Sequence, residues 1–192
     1  MKLIRVLAVL LLVAGVAGCA STPPPVDPND ESLSLVYGYF DMSDAPSKLE
    51  WVSLKKYGST KKGGEWYGMA VREGVFLHIG ISPGSYQVDS FGGMGGIPVL
   101  SSRQFEYDFG GKGRNTTAIR IQSPGAYFLG SHKFEDHSGG LFKPDMFDMK
   151  PVNTPGEREV LERVIAAMES EDDLKPYTRQ LAMAKQRLAR LK

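Results

Sequence analysis

The sequence predicts a mostly β protein, an antiparallel β-sandwich followed by a C-terminal helical hairpin. Between residues 33 and 137, short runs alternate between apolar and polar side chains, which is the pattern of strands that bury one face and expose the other. Clusters of Gly, Pro, Ser and Asp separate these runs. After residue 154 the apolar residues recur with the period of an α-helix. About eight short strands within about a hundred residues are typical of two packed sheets.

Residues 1–18 have the composition of a signal peptide. Lys2 and Arg5 give a short positive start, and the uncharged apolar run Val6–Gly18 follows. That run has 13 residues, whereas a helix that spans a bilayer needs ~20. We therefore expect this segment to direct export and to be removed, instead of remaining as a membrane span.

Cys19 is the only cysteine of the 192-residue chain, so it cannot form an intramolecular disulfide or share a structural zinc with a second thiol. Val16, Ala17 and Gly18 precede it, and this VAGC motif resembles the lipobox of bacterial lipoproteins. The resemblance implies that a signal peptidase recognises these three residues. It also implies a diacylglycerol on the Cys19 thiol and usually a further acyl chain, such as palmitate, on its amino group, which together anchor a protein stably. The alternative is an ordinary secretion signal and a free thiol.

The same resemblance implies a location at the outer membrane of a Gram-negative cell, on its periplasmic face or at the cell surface. Ala20 lacks the acidic character that retains lipoproteins of that family at the inner membrane. Removal of residues 1–18 leaves 21 basic against 22 acidic side chains, because it takes Lys2 and Arg5 from the 23 basic residues. A charge so close to neutrality argues against a nucleic-acid partner, which requires a concentrated basic surface.

Residues 19–32 are expected to form a lipidated, proline-rich tether. The stretch 20–32 contains four prolines and few apolar residues, so it is expected to stay extended and outside the core. At ~3.1 Å per residue, such an arm would reach up to roughly 40 Å.

The sandwich is expected to occupy residues 33–137. Two of its joints share the sequence Ser-Pro-Gly, with Pro83 and Gly84 in the first and Pro124 and Gly125 in the second. Pro fixes φ at the first corner of a type II turn and Gly supplies the positive φ of the second, so both joints are predicted to be structural turns. The predicted strands lie within residues 33–40, 49–56, 65–71, 75–81, 85–91, 104–109, 116–121 and 126–134.

The first of these joints carries a second resemblance. The segment GVFLHIGISPGSYQVDSF, residues 74–91, resembles the transthyretin-like sandwich that is found as the carboxypeptidase regulatory domain. The resemblance implies a hairpin across the Pro-Gly turn and a module of a kind that recurs in envelope lipoproteins. It implies no catalytic residues, because function belongs to a site and not to a fold.

Residues 138–154 interrupt the alternation and are expected to form a strap or linker whose apolar side chains dock on the sandwich. Residues 155–192 are expected to form two amphipathic helices, with Thr154 as the first cap and Pro155 at the first helical position. The apolar stripes of these helices require a cover. It is the sandwich, another protein or, since the second helix is basic, a lipid interface.

Three histidine and carboxylate side chains form a candidate metal site. His132, Asp136 and His137 lie within six residues at the end of a predicted strand, and a turn near Glu135 would let them surround a divalent cation. The alternative is a set of solvated polar residues in a loop. His78 is expected on the same strand face as Phe76, either half-buried under the helices or on an open binding surface.

Other candidate binding features are aromatic or glycine-rich. Trp66 and Tyr67 could stack on a sugar ring, although core packing accounts for at least one tryptophan. The stretches FGGMGGIPV (91–99) and FGGKGRNTT (109–117) lack the spacing of phosphate-binding loops. We expect them to be long hairpin loops of the kind that carries recognition.

These features together predict a non-catalytic, lipid-anchored envelope protein that presents the sandwich and the hairpin to a protein partner. The sequence contains no nucleophile elbow and no carboxylate pair in a known acid–base motif. No cofactor is expected apart from the covalent lipid on Cys19. The alternatives are a lipoprotein that binds peptidoglycan or another carbohydrate, and a small metal-dependent or hydrolytic envelope enzyme.

Replacement of Cys19 by Ala tests the anchor. Because no lipid can be attached without the thiol, Cys19→Ala should leave the membrane fraction and run as a larger, unprocessed band. Cell fractionation followed by immunoblotting measures both effects. Ser21→Ala is the matched control and should fractionate like the native protein; a Cys19→Ala variant that fractionates unchanged would reject lipidation.

Overall fold

The structure, a computed structural model, describes residues 26–57, 69–97, 101–110, 113–114, 117–137 and 146–191. In this part of the chain two open β-sheets pack face to face, and a helical hairpin covers the outer face of one of them. The predicted class, a mostly β sandwich with a helical hairpin, is confirmed. The elements are β1 (Ser34–Asp41), β2 (Trp51–Lys56), β3 (Met69–Arg72), β4 (Val75–Ile81), β5 (Gly84–Ile97), β6 (Ser101–Asp108), β7 (Gly113–Arg114), β8 (Ala118–Ile121), β9 (Ala126–Asp136), β10 (Phe147–Val152), α1 (Glu157–Ser170) and α2 (Thr178–Arg190).

The strand order puts β1 near the middle of the molecule. The six-stranded sheet has the order β3-β4-β1-β9-β10-β7. The four-stranded sheet has β5 at its centre, with β2 along one edge and β6 and β8 along the other. The pairs β1–β9 and β10–β7 are parallel, and the other described pairs are antiparallel. A parallel pair needs a crossover connection, and between β1 and β9 the chain passes through the four-stranded sheet.

Aromatic rings fill the space between the two sheets. The ring centroid of Phe91 on β5 lies 5.2 Å from that of Phe40 and 5.5 Å from that of Phe147. The ring of Phe40 lies 4.8 Å from that of Phe76, and all four side chains are buried. Edge-to-face contacts of this kind contribute about 0.5–1.5 kcal/mol each beyond area burial. This inter-sheet core therefore holds the two sheets together.

Strands β1 and β4 are buried on both faces, which differs from the expected pattern of one apolar and one polar face. On β1, Val36 and Phe40 belong to the inter-sheet core, whereas Leu35 and Tyr37 pack with the helices. The reason is the third layer, because the hairpin covers the sheet face that a two-layer sandwich would leave to solvent. The sequence left three candidates for the surface that covers the apolar stripes of the hairpin: the sandwich, another protein or a lipid interface. In the structure these stripes pack on the sandwich.

Helix α1 begins at Glu157, with Gly156 at the N-cap and no side-chain capping hydrogen bond. The predicted Thr154 cap and Pro155 helical start are therefore wrong, since both residues precede the helix. Among the described helices, none is both long and apolar enough to cross a membrane. The buried residues of α1 are Val160, Leu161, Val164, Ala167 and Met168.

One hydrogen-bonded ion pair joins three elements. The Tyr37 hydroxyl of β1 donates to Glu157 Oε1 of α1 at 2.9 Å. Arg187 of α2 donates to the same carboxylate from Nε at 2.7 Å and from Nη2 at 3.1 Å. Burial and the bond to Glu157 raise the pKa of Tyr37, which keeps its proton and acts as a donor. Such bidentate Arg–carboxylate geometry links α1 and α2 to each other and to β1.

Both Ser-Pro-Gly joints carry the chain from one sheet to the other. The first links β4 to β5 and the second links β8 to β9, so neither is flanked by the two strands of one hairpin. Gly125 has no positive φ and Gly84 has an extended φ of 159°, so the predicted type II corners are wrong. A tyrosine closes each joint instead: the hydroxyls of Tyr86 and Tyr127 donate to the carbonyl of the serine in their own joint, at 2.9 Å and 2.5 Å.

The segment predicted as a strap over residues 138–154 contains a strand. Residues 147–152 form β10, which pairs with β9 and with β7. Phe147 and Met149 point into the inter-sheet core. A strand satisfies backbone donors and acceptors that a strap laid over apolar side chains would leave unpaired.

The end of the predicted tether lies on the fold. Val26 packs on Gly80, where an added Cβ would come within 2.5 Å of Val26 Cγ1. The Glu31 carboxylate forms an ion pair with Arg179 Nη1 at 2.9 Å. Arg179 Nη2 also donates a hydrogen bond to the Glu31 main-chain carbonyl. Residues 19–25 lie outside the described ranges, and the seven residue steps from Cys19 to Val26 can span at most about 25 Å, at ~3.5 Å per residue. This reach is shorter than the roughly 40 Å expected for a fully extended arm at ~3.1 Å per residue.

Truncation of one α1 side chain tests the third layer. Leu161 is fully buried against the six-stranded sheet, so Leu161→Ala should lower the free energy of unfolding by about 2–5 kcal/mol. Urea unfolding of the purified protein measures the change. The neighbouring Glu162 is exposed, so Glu162→Ala should change the free energy by less than about 0.5 kcal/mol. Equal effects of the two variants would mean that the hairpin does not seal the sheet.

Candidate binding groove

Six residues singled out in the sequence lie outside the described part of the chain. Four belong to the lipobox and two are the candidate sugar-stacking aromatics. They are Val16, Ala17, Gly18, Cys19, Trp66 and Tyr67. What the sequence indicates for them stays a prediction.

The candidate metal ligands His132 and His137 are not brought together. Strand β9 continues through Asp136 without the turn that a shared site requires. The buried His132 ring has its Nε2 2.8 Å from Thr117 Oγ1 and packs on the inter-sheet core. His137 lies on the surface with its Nε2 3.1 Å from Asp148 Oδ2. Within the described ranges, no group of three or more His, Cys, Asp or Glu side chains could hold a metal ion.

His78 lies in the inter-sheet core, a location that differs from both expectations. Its ring makes an edge contact with Phe76 at 5.7 Å and is 1 % exposed. Neither ring nitrogen has a hydrogen-bond partner among the described residues. Burial lowers the pKa of His78 to about 3, so the imidazole is neutral at ordinary pH. Its observable role is packing.

A groove of about 960 Å³ opens at the end of the sandwich where β1 ends. One wall is the last three residues of β1 with the segment 42–50, another is the β3–β4 connection at Glu73 and Gly74, and the third is β5 around Met94. These pieces come from three separate regions of the sequence. Only the folding of the two sheets brings them together.

Glycines in β5 make the close packing of the groove wall possible. The stretch FGGMGGI is a strand paired with β6, so the predicted hairpin loop is wrong there. A Cβ on Gly93 would lie 2.0 Å from the Lys48 carbonyl oxygen, and one on Gly95 would lie 2.2 Å from that of Pro46. Real Cβ atoms do not approach backbone so closely. The glycines therefore let the 42–50 segment lie directly on the strand.

The β3–β4 connection is a tight two-residue turn. Glu73 and Gly74 both have positive φ, at 49° and 84°, as the type I′ hairpin requires. The Gly74 carbonyl accepts a hydrogen bond from the Phe40 amide at 2.9 Å. A Cβ on Gly74 would come within 2.2 Å of the Phe40 carbonyl oxygen. The turn is thus fixed against β1 and holds the Glu73 carboxylate at the groove rim.

The groove combines acidic side chains with an exposed apolar one. Asp41, Glu50 and Glu73 line it, with Lys48 as the one basic residue among the described lining residues. Met94 is 42 % exposed there, which is unusual for a large apolar side chain in this structure. Three carboxylates around a flexible thioether favour a cationic segment with an apolar residue. These residues were not predicted, because the glycines on both sides of Met94 are their only signal in the sequence.

Comparison of the chain with protein-family models, with curated proteins and with solved structures gives no match. The resemblances to the lipobox and to the transthyretin-like sandwich therefore stay predictions.

The titration of His78 gives a pH dependence of stability. Between pH 6.5 and about 3 the unfolded chain binds a proton on His78 that the folded chain does not. The free energy of unfolding should therefore fall as pH is lowered through this window, by about 1.4 kcal/mol per pH unit from this group. His78→Leu should remove that part of the slope. Urea unfolding of both proteins at several values between pH 4 and 7 measures the slope. The difference between their free energies of unfolding at pH 7, where His78 is neutral, reports the change in packing alone. Equal slopes in both proteins would contradict the assignment.

Proposed function

We propose that this chain is a lipid-anchored, non-catalytic protein of the bacterial envelope that binds a partner protein through the groove at the end of β1. The observation that carries this proposal is the position of the groove relative to the end of the N-terminal arm. The lipid on Cys19 is proposed from the resemblance of the VAGC motif to the lipobox.

The arm and the groove lie at opposite ends of the six-stranded sheet. Val26 packs on Gly80, next to the β4 residue that pairs with Ser34 at the start of β1. The groove begins at the other end of β1, at Tyr39 and Asp41. Because a strand rises ~3.3 Å per residue, the length of β1 separates the two ends by roughly 23 Å. A groove at that end would face away from the membrane.

The chemistry of the groove supports binding by charge and apolar contact. Its described lining holds three carboxylates, serines, one lysine, a tyrosine and apolar side chains. A partner segment with lysine or arginine beside an apolar residue would complement Asp41, Glu50 and Glu73 and would cover Met94. The hairpin is a weaker contact region than the sequence suggests, because its apolar stripes are already buried on the sheet.

Charge reversal in the groove tests the proposal. Glu50→Lys with Glu73→Lys should weaken a stable interaction about fivefold or more, because each lost ion pair contributes up to about 1 kcal/mol and the new charges repel. The measurement is quantitative co-purification after cross-linking in cells.

Glu162→Lys is the matched control, since this exposed carboxylate lies on α1 and its reversal should leave co-purification unchanged. Equal recovery with the groove variant and the control would contradict the groove as the contact. Retention of muropeptides in place of proteins would favour the carbohydrate-binding alternative.

A further inference from the structure

A second concavity, of about 510 Å³, lies between the second Ser-Pro-Gly joint and α2. Its described lining contains three arginines and no acidic side chain. Arg179 and Arg190 are 11 residues apart, which is three helical turns, so they lie along one face of α2. Residues 123–127 form the opposite wall. We call Arg179, Arg187, Arg190 and residues 123–127 the arginine pocket.

The three arginines differ in how far their charges are neutralised. Arg187 is held by Glu157 and Arg179 by Glu31. Arg190 is exposed and has no carboxylate partner among the described residues. Two guanidinium groups are thus positioned by ion pairs, and the third is available to an anion.

The arginine pocket lies at the end of the sandwich where the arm enters. Glu31, which pairs with Arg179, comes five residues after Val26. Between them the chain makes a turn, in which the Asp30 amide donates a hydrogen bond to the Asp27 carbonyl. Ser34 contacts the wall of the pocket, because its hydroxyl accepts a hydrogen bond from the Gly125 amide at 3.3 Å. The chain from Cys19 to Val26 spans at most about 25 Å. On an anchored protein the pocket is therefore close to the lipid headgroups.

We propose that the arginine pocket binds the phosphate of an anionic phospholipid headgroup in the membrane that holds Cys19. This inference rests on the proposed lipid anchor. A guanidinium group matches phosphate through paired N–H donors, and Arg190 offers such a group at the pocket mouth. A basic residue near an anionic membrane surface contributes about a fivefold gain in affinity. The contact would hold the sandwich in one orientation, with the groove directed away from the membrane.

Titration with a soluble short-chain lipid tests the proposal. The purified full-length protein, in a neutral detergent, is titrated with dihexanoyl phosphatidylglycerol and followed by calorimetry and by the Nε–H NMR signals of its arginines. We expect saturable binding that moves the Arg190 signal. Arg190→Gln should weaken binding about fivefold. Lys185→Gln, a change of the same charge on the same helix outside the pocket, should have no effect.

Three outcomes would overturn the proposal. Equal binding of dihexanoyl phosphatidylcholine would mean that acyl chains and not an anionic headgroup are recognised. Equal binding of inorganic phosphate would make the pocket a free-phosphate site. Equal weakening by Arg190→Gln and Lys185→Gln would mean non-specific charge. Mass spectrometry of the peptide that contains Cys19 reports the anchor separately, so an unmodified thiol refutes the proposed function whatever the titration gives.

Discussion

The double burial of β1 is the constraint on which the rest of the structure depends. One face of this strand supplies Phe40 to the inter-sheet core, and the other supplies Leu35 and Tyr37 to the layer under the helices. Neither apolar layer is complete without it. The hydrogen bonds that Tyr37 and Arg187 donate to Glu157 add a polar contact between β1 and the two helices. The hairpin is therefore part of the fold and not an appendage that a partner must cover.

The direction of β1 also organises the two ends of the molecule. At its start lie the N-terminal arm, both Ser-Pro-Gly joints and the arginine pocket; at its end lies the acidic groove. The two concavities carry opposite charge, since arginines line one and carboxylates predominate in the other. A chain with nearly balanced total charge is thus polarised along one strand, which its composition alone does not reveal.

Local periodicity predicted most of the secondary structure and the fold class, because alternation and helical stripes are properties of neighbouring residues. It failed where contacts distant in sequence decide. The glycines around Met94 look like a loop until the 42–50 segment lies on them, and Phe147 looks like part of a strap until β9 pairs with it. The groove was beyond sequence reasoning for the same reason: Asp41, Glu73 and Met94 meet only in the folded sheets.

The parallel pairing of β1 with β9 has a consequence for how the chain folds. Strand β1 pairs with β4 nearby in sequence, but its parallel neighbour β9 lies about 90 residues later, and Tyr37 meets Glu157 at a separation of 120 residues. Such distant closures slow folding, because loop entropy is lost before contacts compensate it. An incomplete chain has no way to seal its core. The protein should therefore reach its native state only after β9 and the helical hairpin have been made.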